Sequence, residues 1–184
     1  MIGVLPRTLK VNGREYNIRS DFRDCLKIIE AYGDEELSLQ EKHMVMMQIL
    51  YKDYDSIRNI SEALEKGIWF LNCGDNITAA KEEKPVYDWQ QDEHMLFAAI
   101  NRAAGCETRT LKYLHWWSFV SYFYEIGEGT FSTVVGIRSK LNKHKKLDKG
   151  EWEFYKRNKE MVDLKKKYTR EQKEEMDRIN AMLG

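Results

Sequence analysis

The sequence predicts a mainly α fold: a helical domain with a small N-terminal β-hairpin and a charged C-terminal helical pair. One observation places the hairpin. Thr8-Leu-Lys-Val and Glu15-Tyr-Asn-Ile flank Asn12-Gly13, a pair whose tolerance of positive φ suits a two-residue turn. The second observation places the helices. Short polar residues followed three positions later by Glu or Gln, which satisfy each other's free amides at a helix start, recur as Ser38/Glu41, Asn59/Glu62, Asp88/Gln91, Asp148/Glu151 and Thr169/Gln172. Each opens an apolar pattern of helical period.

The element boundaries follow in order. Strands are expected near 7–11 and 14–18. Ser20 then caps a helix with Phe22, Leu26, Ile29 and Ala31 on one side, ended by Gly33 in the left-handed conformation. Further helices are expected near 39–51, 60–72, 89–104, 110–127, 131–142, 149–168 and 170–183. Cys73 to Tyr87 holds Gly74, Pro85 and charged residues without a sustained period, so it reads as the longest loop. Composition changes near residue 148. From Gly150 onward 17 of 35 residues are charged, which separates a helical domain over 1–148 from a charged amphipathic helical extension over 149–184. In that extension Met161, Leu164 and Tyr168, then Met176, Ile179 and Leu183, fall at steps of three and four. Such stripes need cover, either from the chain's own domain or from another protein.

Composition narrows the function classes. No apolar run approaches the roughly 18 residues of a membrane span, and the Met1-Ile-Gly-Val-Leu-Pro start lacks a secretory pattern. A membrane partner is therefore not expected, and the address expected is the cytoplasm of the cell that makes the protein. Cys25, Cys73 and Cys106 are odd in number and widely spaced, which suggests reduced thiols rather than a disulfide framework or zinc knuckle. Net charge is zero overall, yet residues 1–100 carry 12 basic against 18 acidic side chains and residues 101–184 carry 18 against 12. A dipolar chain of this kind favours self-association or protein partners over global attraction to nucleic acid.

No catalytic, cofactor-binding or metal-ligating residue is assigned. The chain has no nucleophile elbow, phosphate loop or H-E-x-x-H. His115 has no second ligand three or four residues away and reads as a hydrogen-bonded structural histidine, while consecutive Asp92, Glu93 and His94 point in different directions on a helix. Arg138 to Lys149 holds six basic residues against one acidic. Without interleaved aromatics it reads as a solvated helix end or a protein-binding corner before it reads as a nucleic-acid site.

The densest aromatic stretch runs from Tyr113 to Tyr124, with seven of the chain's 22 rings in 12 residues. A helix apolar around so much of its circumference is largely enclosed, so Trp116, Phe119 and Phe123, with Phe22 and Trp69, are assigned to the core. Trp117 and Tyr124 form the outer edge, where a ring with a polar tip suits a partner. Lys143, Lys145 and Lys146 form the basic corner.

Several strings together resemble one family: Leu5-Pro6 with the Val-Asn-Gly hairpin and Ile18-Arg-Ser-Asp-Phe-Arg23; Trp69-Phe-Leu-Asn-Cys-Gly74; Tyr87-Asp-Trp-Gln-Gln-Asp92; and Leu114-His-Trp-Trp-Ser-Phe119 with Val135-Gly-Ile-Arg138. In this order, over about residues 5 to 160, they resemble a protein of siphophages and prophages of Gram-positive bacteria that is encoded between the major tail protein and the tape-measure protein. One departure is Gly105-Cys-Glu-Thr, where an acidic-aliphatic turn is usual. The resemblance implies a tail assembly chaperone without enzymatic activity, acting in the host cytoplasm. Its implied partner is the tape-measure protein, with the major tail protein, a second tail chaperone and further copies of itself as other candidates. A structural tail or tail-completion component of the virion and a nucleic-acid-binding accessory are the alternatives.

Overall fold

The computed structural model describes residues 3–75, 84–165 and 170–183. It is mainly helical with a two-stranded antiparallel hairpin, and it divides into two compact units, Met1–Asp75 with Lys166–Gly184, and Asn76–Lys165. Residues 149–165, expected to belong with 166–184 in one extension, fall in the second unit. Thr169 of the last expected cap, residues 166–168 of the expected 149–168 helix with Tyr168 of its stripe, and residues 76–83 of the expected loop lie outside the described residues.

In the first unit, β1 (Thr8–Val11) pairs with β2 (Arg14–Asn17), Leu9 opposite Tyr16. The turn between them has φ of 47° at Asn12 and 79° at Gly13, the two positive values that an Asn-Gly hairpin turn requires. The sheet then reaches the end of the second helix: Ile18 bridges Tyr51, and the Arg19 N–H donates to the Leu50 carbonyl at 2.7 Å.

Helix α1 (Phe22–Tyr32) starts one residue later than expected. Asp21 is its N-cap and accepts from the Arg23 N–H, while Ser20 is buried. Its buried face is Phe22, Cys25 and Ile28, leaving Leu26 and Ile29 half-buried, a rotation of about one residue from the expected stripe. Gly33 ends the helix at φ −83°, right-handed rather than left-handed, because its N–H still reaches the Ile29 and Glu30 carbonyls.

Helix α2 (Leu39–Leu50) carries the full reciprocal cap of Ser38 and Glu41. Its last carbonyls, those of Gln48 and Ile49, and that of Tyr51 accept from the Arg19 guanidinium at 2.9–3.2 Å, a cation where the helix dipole favours one. A 3-10 turn (Tyr54–Ser56) leads to α3 (Ile60–Leu71). Only half of the expected cap forms here. Asn59 accepts from the Glu62 N–H, but the Glu62 carboxylate takes the Asn12 N–H of the hairpin at 2.8 Å instead of the Asn59 backbone.

Helix α3 packs on α2 and β1, and its close approach depends on Gly67. A Cβ there would lie 3.1 Å from Met46 Cε and 3.2 Å from Leu50 Cδ2. Gly67→Val is expected to lower stability by about 1–3 kcal/mol through overpacking, read as a lower urea midpoint. The core is closed by Val11, Phe22, Met46, Leu50, Tyr51 and Phe70, all at most 1% exposed. The buried Tyr51 hydroxyl donates to the Ala63 carbonyl at 2.7 Å, and burial pushes its pKa well up.

The second unit holds α4 (Glu93–Ala104), a 3-10 turn (Thr108–Thr110), α5 (Trp116–Tyr124), α6 (Thr130–Asn142), α7 (Lys149–Arg157) and a single helical turn, α8 (Lys159–Val162). Three expected helices shorten for identifiable reasons. Asp88 accepts from the Gln90 and Gln91 N–H groups without starting α4. The helix begins only after Asp92, whose carboxylate makes no cap bond because it is engaged elsewhere. The expected 110–127 helix begins at Trp116, with His115 as its cap. The expected 149–168 helix breaks at Asn158, whose side-chain amide donates to the Phe154 carbonyl at 2.9 Å, a local bond that competes with the helical ladder.

Helix α9 spans Arg170–Leu183. Among the described residues no helix is long and apolar enough to cross a membrane.

The caps make the fold acid-sensitive. Hydrogen bonds from the Ser38 side chain and backbone hold Glu41 below the usual carboxylate range, backbone N–H donation from Glu151 does the same for Asp148, and hydrogen bonding from Arg109 lowers Glu107 to about 2. Carboxyls with depressed folded pKa values stabilise the fold above their unfolded pKa and lose that contribution as pH falls through the folded value. The melting temperature is therefore expected to drop as pH is lowered from Glu107's ordinary 4.5 towards 2. Ser38→Ala, which removes the main cause at Glu41, should make that drop smaller in a pH series of thermal melts.

Candidate partner-binding surface

Within the second unit, the aromatic stretch forms a ring cluster with residues far away in sequence. Phe119 is fully buried, with ring centroids of Trp116 at 5.8 Å, Phe97 at 6.0 Å and Trp89 at 6.2 Å. Phe123 meets Tyr87 at 5.6 Å, Trp89 at 5.7 Å and Phe131 at 6.2 Å. Burial raises the Tyr87 hydroxyl pKa.

His115 is 3% exposed and its Nδ1 accepts from the Trp117 N–H at 3.1 Å. The imidazole therefore caps α5, satisfying an amide that a helix start leaves free. No group of three or more His, Cys, Asp or Glu among the described residues could hold a metal ion.

The residues assigned from sequence separate clearly. Phe22, Trp116 and Phe119 are buried. Trp69 and Phe123 are half-buried rather than core, and Phe70, beside Trp69, takes the fully buried place on α3. Trp117 is half-buried, edge-on to His115 at 6.1 Å. Tyr124 projects, 78% exposed, from the end of α5, and Lys143, Lys145 and Lys146 are exposed beyond the end of α6. A second projecting ring is Trp152 of α7, 46% exposed, stacked on Tyr155 at 5.6 Å, with the Lys156 ammonium over the Trp152 ring at 5.3 Å from its centroid. On α9, within the other unit, Met176, Ile179 and Met182 are 43%, 47% and 83% exposed.

Arg138, the first cation of the basic run, does not belong to the surface. It is 4% exposed, against an Asp92 side chain that is wholly buried. All five of its N–H groups have acceptors. Nη1 and Nη2 grip the two Asp92 oxygens at 2.5 and 3.0 Å, and the remaining three donate to the carbonyls of Val86 (3.2 Å), Met161 (2.8 Å) and Val162 (2.5 Å). Gln91 extends the same anchor: its Nε2 donates to the Asp163 carbonyl at 2.8 Å and its Oε1 accepts from the Lys165 N–H at 2.9 Å. Val162 is buried in a cluster with Val134 and Ile137, on which Phe154 and Tyr155 also pack. Residues 161–165 are thus held by side chains from α6 and from the segment before α4.

Sequence reading missed this anchor, although a signal existed. Phe131, Val134, Ile137, Arg138 and Leu141 lie on one helical stripe, so a cation sits among core positions and needs a buried anion.

A family model described as Bacteriophage Gp15 protein matches residues 1–164. The chain belongs to that phage protein family. The stretch matched to the Gp15 family contains the whole ring cluster and the Arg138 anchor, and stops short of α9. No curated protein and no solved structure matches the chain. The Gp15 family thus places the chain among bacteriophage proteins, and in this chain the ring cluster and the Arg138 anchor show how the Tyr87–Asp92 and His115–Phe119 strings are used.

Proposed function

We propose that this Gp15-family protein is a non-enzymatic tail assembly chaperone that binds the tape-measure protein in the cytoplasm of the bacterial host. The observation that carries the reading is a set of side chains left open on helix surfaces: Met176, Ile179 and Met182 on the charge-rich α9, and Tyr124 at the end of the ring-rich α5. Membership of a bacteriophage family supports it, as does the resemblance of its motif order to proteins encoded beside the tape-measure protein. A long helical client with an apolar stripe aggregates unless covered, and helix-on-helix contacts repeated along it give avidity without strong single contacts. The opposed charge of the two sequence halves suits successive copies lying head to tail on such a client.

Co-expression with the tape-measure protein of the same phage is the test. The expected result is a soluble complex that co-purifies, and absence of this chain from purified virions by mass spectrometry. A tape-measure protein that stays insoluble and unbound would sink the proposal. Stoichiometric recovery of the chain from virions would instead favour a structural tail component.

A further inference from the structure

We infer that the groove formed by α7, α8 and residues 163–165 is a docking site for an acidic amphipathic helix of a protein partner; this deepens the chaperone reading and rests on it. The groove is lined by residues 156–161 and 163–165 and encloses about 1080 Å³. That is slightly above the roughly 300–1,000 Å³ of small-molecule clefts, and the depression is open to solvent rather than enclosed, which suits a peptide.

Its chemistry selects the occupant. Lys156, Arg157, Lys159 and Lys165 are exposed around it, against Glu160 and Asp163. Four cations against two carboxylates leave the rim net positive, and the Asp163 carboxylate is held in place by the Tyr155 hydroxyl, which donates to it at 3.0 Å. Met161, 41% exposed, and half-buried Leu164 offer apolar contact between those cations. A helix with an apolar row bordered by Glu or Asp matches both features. A nucleic acid matches them less well, because the floor is aliphatic and the nearest rings, Trp152 and Tyr155, are stacked on each other rather than free for bases.

The anchor supplies the reason for a rigid wall. The carbonyls of residues 161, 162 and 163 and the N–H of residue 165 are fixed by Arg138 and Gln91, and Val162 is fully buried. A wall already ordered before binding avoids the entropy cost of ordering it on binding.

The test titrates the full chain with a labelled helical peptide of about 20 residues, roughly 30 Å long, carrying a leucine row and glutamates elsewhere, and with its lysine-for-glutamate counterpart. The glutamate peptide is expected to bind at least about tenfold more tightly, and to weaken as ionic strength rises. The triple variant R157E/K159E/K165E, all at exposed positions, should keep the melting temperature and reverse the preference between the peptides. Equal binding of both peptides, no binding, or binding unchanged in the triple variant overturns the site. Displacement of the glutamate peptide by duplex DNA overturns it in favour of nucleic acid. If the tape-measure protein co-purifies while the peptides do not bind, the groove fails and the chaperone reading stands. If the glutamate peptide binds as expected while the tape-measure protein does not co-purify, the reverse holds.

Discussion

Arg138→Met is expected to destabilise the Asn76–Lys165 unit by about 3–5 kcal/mol, the usual cost of removing one partner from a buried ion pair. The loss has two parts. The Asp92 carboxylate would keep the hydrogen bond from the Asp88 N–H, at 2.9 Å, but would sit without a countercharge at 0% side-chain exposure. The carbonyls of Val86, Met161 and Val162 would lose their guanidinium donors at the same time, each a buried or half-buried acceptor left to desolvation. Arg138→Lys is not a mild substitute, since one ammonium cannot span both carboxylate oxygens and three carbonyls. In a double-mutant cycle, Arg138→Met with Asp92→Leu should cost clearly less than the two single changes added together, because the uncompensated charge is gone. Urea denaturation of the four proteins gives the coupling energy, and additive costs would mean that the pair is not coupled as described.

The same pair marks the limit of what could be read from the chain. Local patterns were legible: Asn12-Gly13 specified the hairpin turn, Ser38/Glu41 and Asp148/Glu151 specified two helix starts, and the ring-rich stretch specified a helix whose Trp116 and Phe119 are buried, although the rest of it is half-buried or exposed. These features depend on contacts a few residues apart. What stayed hidden depends on contacts across long separations. Asp92 and Arg138 are 46 residues apart, so in sequence one looked like part of a polar triplet and the other like the head of a basic run. Tyr87 reads as the end of a loop and Trp89 as the first residue of a helix, yet the two fill the space beside Phe119 and Phe123. The partner edge was half legible for the same reason. Exposure of Tyr124 follows from its place at the end of α5, while the partial burial of Trp117 follows from the position of His115, which as a cap rather than a mid-helix residue resets the helix start. The phase error in α1 has a related origin: Cys25 and Ile28 lie against neighbours that the helix's own pattern does not name.

Phe119→Ala is the second large effect, expected at about 3–5 kcal/mol. Phe119 is fully buried, and it is the ring on which Trp89 from the segment before α4, Phe97 from α4 and Trp116 from α5 converge. Truncation removes that ring's transfer energy and leaves a cavity whose walls are themselves large rings, held apart by helices on different sides, so collapse to fill it is limited. Tyr124→Ala, five residues on in the same helix but 78% exposed, should stay within about 0.5 kcal/mol of the parent. If the chaperone reading holds, it should instead weaken retention of the tape-measure protein, since an exposed tyrosine is the type of residue that contributes to binding more than to folding. Parallel urea melts and co-purification of the two variants separate the roles. A small stability change at Phe119, or a large one at Tyr124, would mean that the inner and outer faces of α5 are assigned the wrong way round.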